Sequence, residues 1–340
     1  MSGLPLRLRV DTAALSANWR WLAAASGNAA TGAAVKANGY GTGAELALTT
    51  LARAGCRDFF VATWAEAQSL LPHAQGLNLY VLHGLLPEER ALPNCIPVLN
   101  SLEQVARWKV HGGGQACALM FDTGMNRLGL SAADVTQCSS LNIAMLMSHL
   151  ASADEPDSPQ NARQLKAFRE INLPDVPRSL ANSAGICLGK DYHFDLTRPG
   201  LALYGGVPHP AAQGHIRPVV QVEAAVLQRR RLKAGETIGY GATWTAAAAT
   251  EVAILNIGYA DGYLRAFSSK GQAFVGGVAC PVIGRVSMDL TAIDVSACPS
   301  LREGDWVEVD YDLPRAASVS GLSQYELLTG LGGRYARGTL

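Results

Sequence analysis

The run Phe59-Phe-Val-Ala62, followed by Ala65-Glu-Ala-Gln-Ser-Leu-Leu71, has the pattern from which the fold of this chain can be predicted. A short apolar run bounded by polar residues is typical of a buried strand, and the segment after it has the apolar spacing of an amphipathic helix. Further helical patterns occur at Leu102–Trp108 and Ala162–Glu170. The apolar runs are Gly32–Val35, Phe59–Ala62, Leu77–Leu82, Ile96–Leu99, Ala116–Phe121, Ile143–Met147, Arg178–Ala181 and Leu201–Tyr204. Eight runs that alternate with helical segments predict a closed (β/α)8 barrel rather than an open sheet.

The pattern changes after Arg217. From there on, β-like segments alternate with Gly-rich turns, and only Leu322–Leu331 has a helical pattern. The β-like segments are Val219–Leu227, Glu251–Ile257, Gln272–Val275, Ala292–Val295 and Trp306–Val309. The sequence therefore predicts an α/β protein with a barrel at residues 1–217 and a mostly β domain at residues 218–340. The first strand, at about residues 4–11, could pack with the β domain instead.

Composition excludes several classes of protein. Lys plus Arg and Asp plus Glu number 28 each. The chain therefore lacks the excess of basic residues that is typical of nucleic-acid-binding proteins. The N-terminal residues lack the pattern of a signal peptide, and no run reaches the ~18 uncharged apolar residues of a membrane helix. The seven cysteines are odd in number and form no C-x-x-C pair, which indicates reduced thiols. We expect a cytoplasmic enzyme without a metal site.

Polar residues gather where the predicted barrel strands end. Barrel active sites lie at the C-terminal ends of the strands, so five such clusters on one rim predict a site there. The clusters are Lys36, Asp122–Arg127, Ser148-His149, Asn182–Gly185 and Arg198–Gly200.

Lys36 and the last two clusters point to one cofactor. A desolvated lysine amine is neutral and can attack an aldehyde to form a Schiff base, although Lys36 could instead snorkel to the rim and pair with a carboxylate. The loops after strands seven and eight of a barrel commonly hold phosphate, and Asn182–Gly185 offers a hydroxyl and free amides there. Asn182 or Ser183 could equally be an ordinary N-cap. A lysine and a phosphate cradle on one barrel are what pyridoxal phosphate requires.

Three other motifs are incomplete. Gly39–Ala44 fits a relaxed dinucleotide fingerprint, but the acidic residue Asp58 begins the next strand instead of ending it. Ala181–Gly185 resembles a hydrolase nucleophile elbow without its first glycine. Asp122-Thr-Gly lacks the second Asp-Thr/Ser-Gly that an aspartic protease needs.

Taken together, several segments resemble bacterial alanine racemases over nearly the whole chain. They occur in the order that this family has. The segments are Ala34–Gly41, Asp122–Gly129, Met147–Asp154, Ala181–Gly185, Arg198–Gly205, Ile257–Tyr263, Ile283–Asp289 and Arg334–Arg337.

The resemblance implies a pyridoxal-phosphate racemase that interconverts L-alanine and D-alanine with two bases. Lys36 is the Schiff-base lysine and one base, and Tyr259 is the other base, contributed across the interface of a homodimer. Arg198 faces the pyridine nitrogen, and His149 bridges Arg198 and Tyr259. Tyrosine titrates near ~10 in water, so a cationic Arg198–His149 network would help by favouring the phenolate.

The resemblance also implies the binding residues. Arg127 supports the phenolic side of the cofactor, and the partner subunit's Met288 approaches the substrate carboxylate. The other cofactor-binding residues are Tyr40, Asn182, Ser183, Gly200, Leu201 and Tyr335.

One position departs from the family pattern. Many members carry a lysine, often carbamylated, two residues before the Asp-Thr-Gly aspartate, where this chain has Met120. Arg127 then needs another negative partner, for which a chloride, Asp122 or another carboxylate could serve.

Several readings of the function stay open. A racemase of broader specificity and a barrel-type pyridoxal-phosphate decarboxylase share the fold and cofactor, but the decarboxylases place a carboxylate near the pyridine nitrogen, where Arg198 stands here. A non-catalytic pyridoxal-phosphate carrier would have no use for the β domain. A racemase could serve the supply of D-alanine for peptidoglycan or the degradation of D-alanine.

Overall fold

The computed structural model describes residues 4–340. Two compact units make up the chain: one is Ala13–Arg217, and the other is Pro218–Leu340 together with the start of the chain up to Thr12. No helix among the described residues is long and apolar enough to cross a membrane.

A ring of parallel strands forms the first unit. Seven strands pair in sequence order, and the apolar side chains at their centres, such as Leu79, Val98 and Leu119, are fully buried. These strands are Ala33–Ala34, Asp58–Val61, Asn78–Val81, Cys95–Leu99, Cys117–Met120, Ile143–Met147 and Arg178–Ser179.

An eighth strand closes the ring. Leu196–Thr197 pairs in parallel with Ala30–Thr31, which directly precedes the first strand. On its other side the amide of Asp195 donates to the carbonyl of Arg178 over 3.0 Å. The predicted eight-stranded barrel is therefore confirmed.

The position of the eighth strand was predicted wrongly. Leu201–Tyr204, expected as that strand, is a short 3-10 helix that begins after Gly200. All four of its side chains are buried, and a fully buried helical turn cannot be told from a buried strand by apolar content alone.

Helices follow most of the barrel strands, and the sequence explains where several begin. Thr63 and Glu66 form a capping box at the start of Trp64–Leu70, and Ser101 caps Leu102–His111 by accepting from the amide of Gln104. The helices are Thr12–Ala25, Ala44–Ala54, Trp64–Leu70, Leu102–His111, Val135–Cys138, Pro159–Glu170 and Ser183–Cys187, and the segment Lys36–Tyr40 is a left-handed turn.

The second unit is an eight-stranded sheet. Leu6–Val10 belongs to it and pairs antiparallel with Val220–Leu232. Because Val220–Leu232 also pairs with Thr250–Leu255, six of the strands close on themselves around a buried apolar core. In spatial order the strands are Thr250–Leu255, Thr291–Asp294, Val278–Ile283, Gln272–Val275, Trp306–Val309, Val220–Leu232, Leu6–Val10 and Ala336–Thr339. Thr237–Ile238 and Trp244–Thr245 form a separate antiparallel pair.

Two helices complete this unit, where the sequence predicted one. Gln324–Thr329 lies within the predicted segment Leu322–Leu331, whereas Leu313–Ser320 was not expected. The helix Leu313–Ser320 is short and buries only Leu313 and Ala316, so few large apolar side chains mark it in the sequence. Its start is nevertheless marked in the sequence, because Asp312 caps it and Pro314 lies in its first turn.

Candidate active site

Lys36 lies at the barrel rim, two residues after the end of the first barrel strand, Ala33–Ala34. Burial lowers the pKa of its amine, and the positive charges of Arg127 and Arg198 lower it further, while the carboxylate of Glu66 opposes them. A lowered pKa increases the neutral fraction of the amine, which is the nucleophilic form.

The chain after Lys36 forms a left-handed turn that the sequence did not predict. Residues 37–40 all have positive φ, with values of 52° for Ala37, 54° for Asn38 and 53° for Tyr40. This conformation costs about 1–2 kcal/mol per residue with a side chain, less for asparagine. The turn is closed by the amide of Gly39 donating to the carbonyl of Val35 and by that of Gly41 donating to Ala37.

The turn brings Tyr40 back onto the barrel rim. Its ring stacks on Tyr204 with the ring centres 4.8 Å apart. A β-carbon at Gly200 would overlap the Tyr40 hydroxyl and lie 2.8 Å from Cζ, so only glycine lets the ring lie there. The hydroxyl of Ser183 accepts the amides of Gly200, over 2.9 Å, and Ala202.

These contacts collect donors of the kind that bind phosphate. Tyr40, Ser183 and Gly200 were predicted to share one site, and the structure brings them into contact. Leu201 opens a 3-10 helix, so its amide has no acceptor within that helix. Asn182 caps the helix Ser183–Cys187 through Oδ1, which accepts the amide of Gly185 over 2.8 Å. That is the N-cap role the sequence left open for Asn182.

Arg198 is a buried cation. Its side chain donates to the Ser179 hydroxyl and the Ser148 carbonyl, each over 2.5 Å, and none of the ion pairs among the described residues includes it. Burial lowers the pKa of Arg198 to about 10, so the guanidinium stays charged at neutral pH.

His149 adds little positive charge to the predicted cationic Arg198–His149 network. Burial lowers the pKa of His149 to about 3, with further lowering by the charges of Arg198, Arg127 and Lys36. Three cations around one imidazole make its protonated form unfavourable. The positive charge of the expected Arg198–His149 network therefore belongs to Arg198.

Asp122 does not neutralise Arg127. Asp122 Oδ1 instead accepts the amides of Gly124 over 2.8 Å and Met125 over 2.9 Å, which organises the turn after the fifth strand. Arg127 is exposed and takes part in none of the ion pairs formed by residues 4–340. Met120 ends the strand Cys117–Met120, so no charged side chain stands at that position.

In the β-rich unit, Tyr259 and Met288 lie on neighbouring segments. The amide of Tyr259 donates to the carbonyl of Ser287, and the amide of Ala260 donates to the carbonyl of Met288, each over 3.0 Å. A β-carbon at Gly258 would overlap both of those carbonyl oxygens, so glycine permits this close approach. Tyr259 is 36% exposed and Met288 is 54% exposed.

A buried ion pair supports the Tyr259 segment. Asp261 is fully buried and receives two hydrogen bonds from Arg334, 2.7 Å at Oδ1 and 2.8 Å at Oδ2. Its Oδ2 also accepts the amide of Gly258 over 3.0 Å, and Arg334 reaches Asp289 over 2.7 Å. These residues lie in the segments that resemble the family, but nothing in the sequence assigned them a role.

Tyr335 has a different environment from the one predicted. It is 4% exposed, and its hydroxyl donates to the Asp261 carbonyl over 2.9 Å within the β-rich unit. The hydroxyl proton of Tyr335 is therefore already engaged in a hydrogen bond, so Tyr335 is not part of the proposed phosphate-binding set.

The chain is similar to known proteins over nearly its whole length. The family model for the alanine racemase N-terminal domain matches residues 10–208, and that for the C-terminal domain matches residues 219–339. The biosynthetic alanine racemase of Agrobacterium fabrum is 43% identical over 98% of this chain and 93% of its own. The catabolic alanine racemase of the same organism is 44% identical over 97% of this chain and 91% of its own.

The alanine racemase of Bartonella henselae, solved with covalently bound pyridoxal phosphate, superposes with a TM-score of 0.91 at 34% identity over 99% of both chains. The biosynthetic alanine racemase of Pseudomonas aeruginosa superposes with a TM-score of 0.89 at 31% identity, again over 99% of both chains. The chain belongs to the alanine racemase family.

Proposed function

We propose that this protein is a pyridoxal-phosphate enzyme that interconverts L-alanine and D-alanine, with Lys36 and Tyr259 as its two bases. The observation that carries the proposal is Lys36 itself, an amine whose pKa is lowered at the rim of a barrel. Relatives named as alanine racemases, both biosynthetic and catabolic, support the choice of substrate.

The residues around Lys36 fit the cofactor. The hydroxyls of Tyr40 and Ser183 and the amide of Leu201 would hold its phosphate, and Gly200 leaves room for Tyr40. Arg198, a cation that forms no ion pair among the described residues, would face the ring nitrogen. When bound, pyridoxal phosphate supplies an aldehyde that joins an amine and a ring that acidifies the α-carbon of an amino acid.

Racemisation needs a proton acceptor on each face of the α-carbon. The Lys36 amine serves one face because its lowered pKa leaves it partly neutral. The Tyr259 hydroxyl serves the other, and a neutral His149 would link it to Arg198 by hydrogen bonds rather than by charge. Each base delivers a proton in one direction and removes it in the other.

We propose that Tyr259 acts in the barrel site of a second copy in a homodimer. Tyr259, Met288 and Leu290 are among the exposed large apolar side chains of the β-rich unit, and a partner surface would cover them. The partner subunit's Met288 would then approach the substrate carboxylate.

Arg127 would support the phenolic side of the cofactor. The Asp122 carboxylate accepts hydrogen bonds from backbone amides and forms no ion pair with Arg127. We therefore favour a small anion such as chloride as the partner of Arg127. Racemase activity that depends on halide and not on bicarbonate would support this, and activity unchanged by halide would oppose it.

The direct test is purified protein incubated with pyridoxal phosphate and L-alanine. The proposal predicts loss of optical rotation to an equimolar mixture of enantiomers, without carbon dioxide. Release of carbon dioxide and ethylamine would identify a decarboxylase, and unchanged L-alanine would favour a cofactor carrier. D-serine formed from L-serine at a comparable rate would instead indicate a broader specificity.

We also propose a cytoplasmic role in D-alanine metabolism, either supply for peptidoglycan or breakdown. Relatives named for both roles match this chain almost equally, at 43% and 44% identity. Growth of a D-alanine auxotroph carrying the gene would support the supply role. Failure to grow, with racemase activity present in the cell extract, would count against it.

A further inference from the structure

The carboxylate of Glu66 bridges two parts of the barrel rim. Its Oε1 accepts the amide of Ala37 over 2.8 Å, and its Oε2 accepts the amide of Ala62 over 2.7 Å. It also completes a capping box with Thr63, whose hydroxyl accepts the Glu66 amide over 3.3 Å. The capping box by itself would explain only the contacts within the helix start, whereas the bond to Ala37 joins positions 29 residues apart.

The bonded amide is the first one after Lys36. Ala37 begins the left-handed turn, in which the backbone of three residues with side chains is strained. Such a conformation persists only when surrounding contacts fix it. Glu66 supplies one of them, and Asn38 supplies another by accepting the amide of Ala44 over 3.0 Å.

Glu66 also contributes charge at this point. The charges that shift the pKa of the Lys36 amine are those of Arg127, Glu66 and Arg198, and among these three Glu66 is the negative one. Two cations lower the pKa of the amine and one anion raises it, so Glu66 limits how far the pKa of Lys36 falls.

We propose that Glu66 is a positioning residue for Lys36, which ties the left-handed turn to the end of the second barrel strand and so fixes where the amine stands. This inference rests on the proposed function only for its effect on catalysis. The bond from Glu66 to Ala37 and the charge beside the amine belong to the protein without cofactor or substrate.

The chain offers a matched pair of variants. Glu66→Gln has nearly the same shape but a single oxygen acceptor, so it cannot accept the amides of Ala37 and Ala62 together, and it removes the charge. Thr63→Ala removes the capping hydroxyl from the same helix and leaves the Glu66 carboxylate in place. Both variants weaken the helix start, and only Glu66→Gln should affect Lys36.

The experiment measures Lys36 directly in the full chain freed of cofactor. The rate of acylation of the Lys36 amine is followed against pH by mass spectrometry of its peptide. The proposal predicts that the pH midpoint of Lys36 acylation is lower in Glu66→Gln than in the parent and unchanged in Thr63→Ala. In the loaded enzyme, Glu66→Gln should lower kcat about ten- to a hundredfold, as expected for a misplaced catalytic group, with Thr63→Ala within about twofold of the parent.

Equal midpoints for Glu66→Gln and the parent, or equal effects of the two variants, would overturn the proposal. Recovery of the midpoint and of most of kcat in Glu66→Asp, which keeps the carboxylate, would support it. If the parent protein fails to racemise alanine while the Lys36 midpoint still depends on Glu66, the proposed function fails and the positioning role stands.

Discussion

Replacing Asp261 by asparagine removes the anion from a buried ion pair beneath the Tyr259 segment. The Asp261 side chain is fully buried, and its two oxygens receive two hydrogen bonds from Arg334 and one from the amide of Gly258. Asparagine keeps the shape but turns one acceptor into a donor, which then faces a cation. The segment that carries Tyr259 loses its anchor.

The expected loss in the free energy of unfolding depends on how deeply Asp261 and Arg334 are buried. Breaking a buried pair by removing one ion costs about 3–5 kcal/mol. Arg334 is 48% exposed, so water compensates part of its lost partner, and we expect about 2–3 kcal/mol. For a chain of 340 residues that unfolds as one unit, this corresponds to a fall in melting temperature of roughly 3–4 °C.

The matched control is Asp289→Asn. Asp289 contacts the same Arg334 over 2.7 Å, but it is 49% exposed. An exposed pair contributes about 0–1 kcal/mol. The two variants should therefore differ in their free energy of unfolding because of burial, since the contact distances are alike.

The assay is urea denaturation followed by circular dichroism, with racemisation measured on the same samples. Asp261→Asn should lower both the free energy of unfolding and kcat, whereas Asp289→Asn should change each only slightly. Equal destabilisation by the two substitutions, or a loss below about 1 kcal/mol for Asp261→Asn, would refute the reasoning.

Three further outcomes are expected. Gly200→Ala should cost about 1–3 kcal/mol and weaken binding of pyridoxal phosphate, because its β-carbon overlaps the Tyr40 hydroxyl; denaturation and cofactor titration measure both, and unchanged cofactor affinity would contradict it. In the cofactor-free protein, the pKa of His149 lies at about 3, below the ordinary histidine value; its stabilising contribution is therefore complete above about pH 6.5 and is lost as pH falls from there towards 3. An NMR titration of His149 with a midpoint between 6 and 7 would be incompatible with this. Burial raises the pKa of Cys56 to about 12, so iodoacetamide at pH 8 should leave this thiol unmodified in the folded protein and label it after unfolding. Labelling of the folded protein at the rate of an exposed thiol would count against it.

The alternation of apolar runs and helical segments was enough to predict the barrel, because each strand must be buried under the helix that follows it. The same reasoning misplaced the eighth strand. Leu201–Tyr204 is apolar because it is buried on all sides, and burial on all sides removes the period that separates helix from strand. The true strand, Leu196–Thr197, is only two residues long and carries little pattern.

Residues at strand ends could be located from the sequence, and Lys36, Ser183 and Arg198 all lie there. Contacts between segments that are distant in the chain could not be located from the sequence. Asp261 and Arg334 are 73 residues apart, and nothing in one sequence pairs them. Glu66 looked ordinary because Thr63-x-x-Glu66 is a common helix start, and its bond to Ala37 depends on a left-handed turn for which only Asn38-Gly39 gave a hint.

The low pKa of His149 could not be predicted from the sequence for a related reason. It results from burial and from the charges of Arg198, Arg127 and Lys36, which come from three different strand ends. Only their assembly shows that a protonated imidazole would face three cations.

The proposed two-base site combines Lys36 of one copy with Tyr259 of another. Lys36→Ala and Tyr259→Phe would be coexpressed with different affinity tags, and the mixed dimer would be isolated by sequential purification. Each parent variant should be nearly inactive. The mixed dimer holds one intact site of two, so it should racemise L-alanine at about half the specific activity of the unmodified protein, because bases on opposite faces are both required. A mixed dimer as inactive as its parents would contradict the claim.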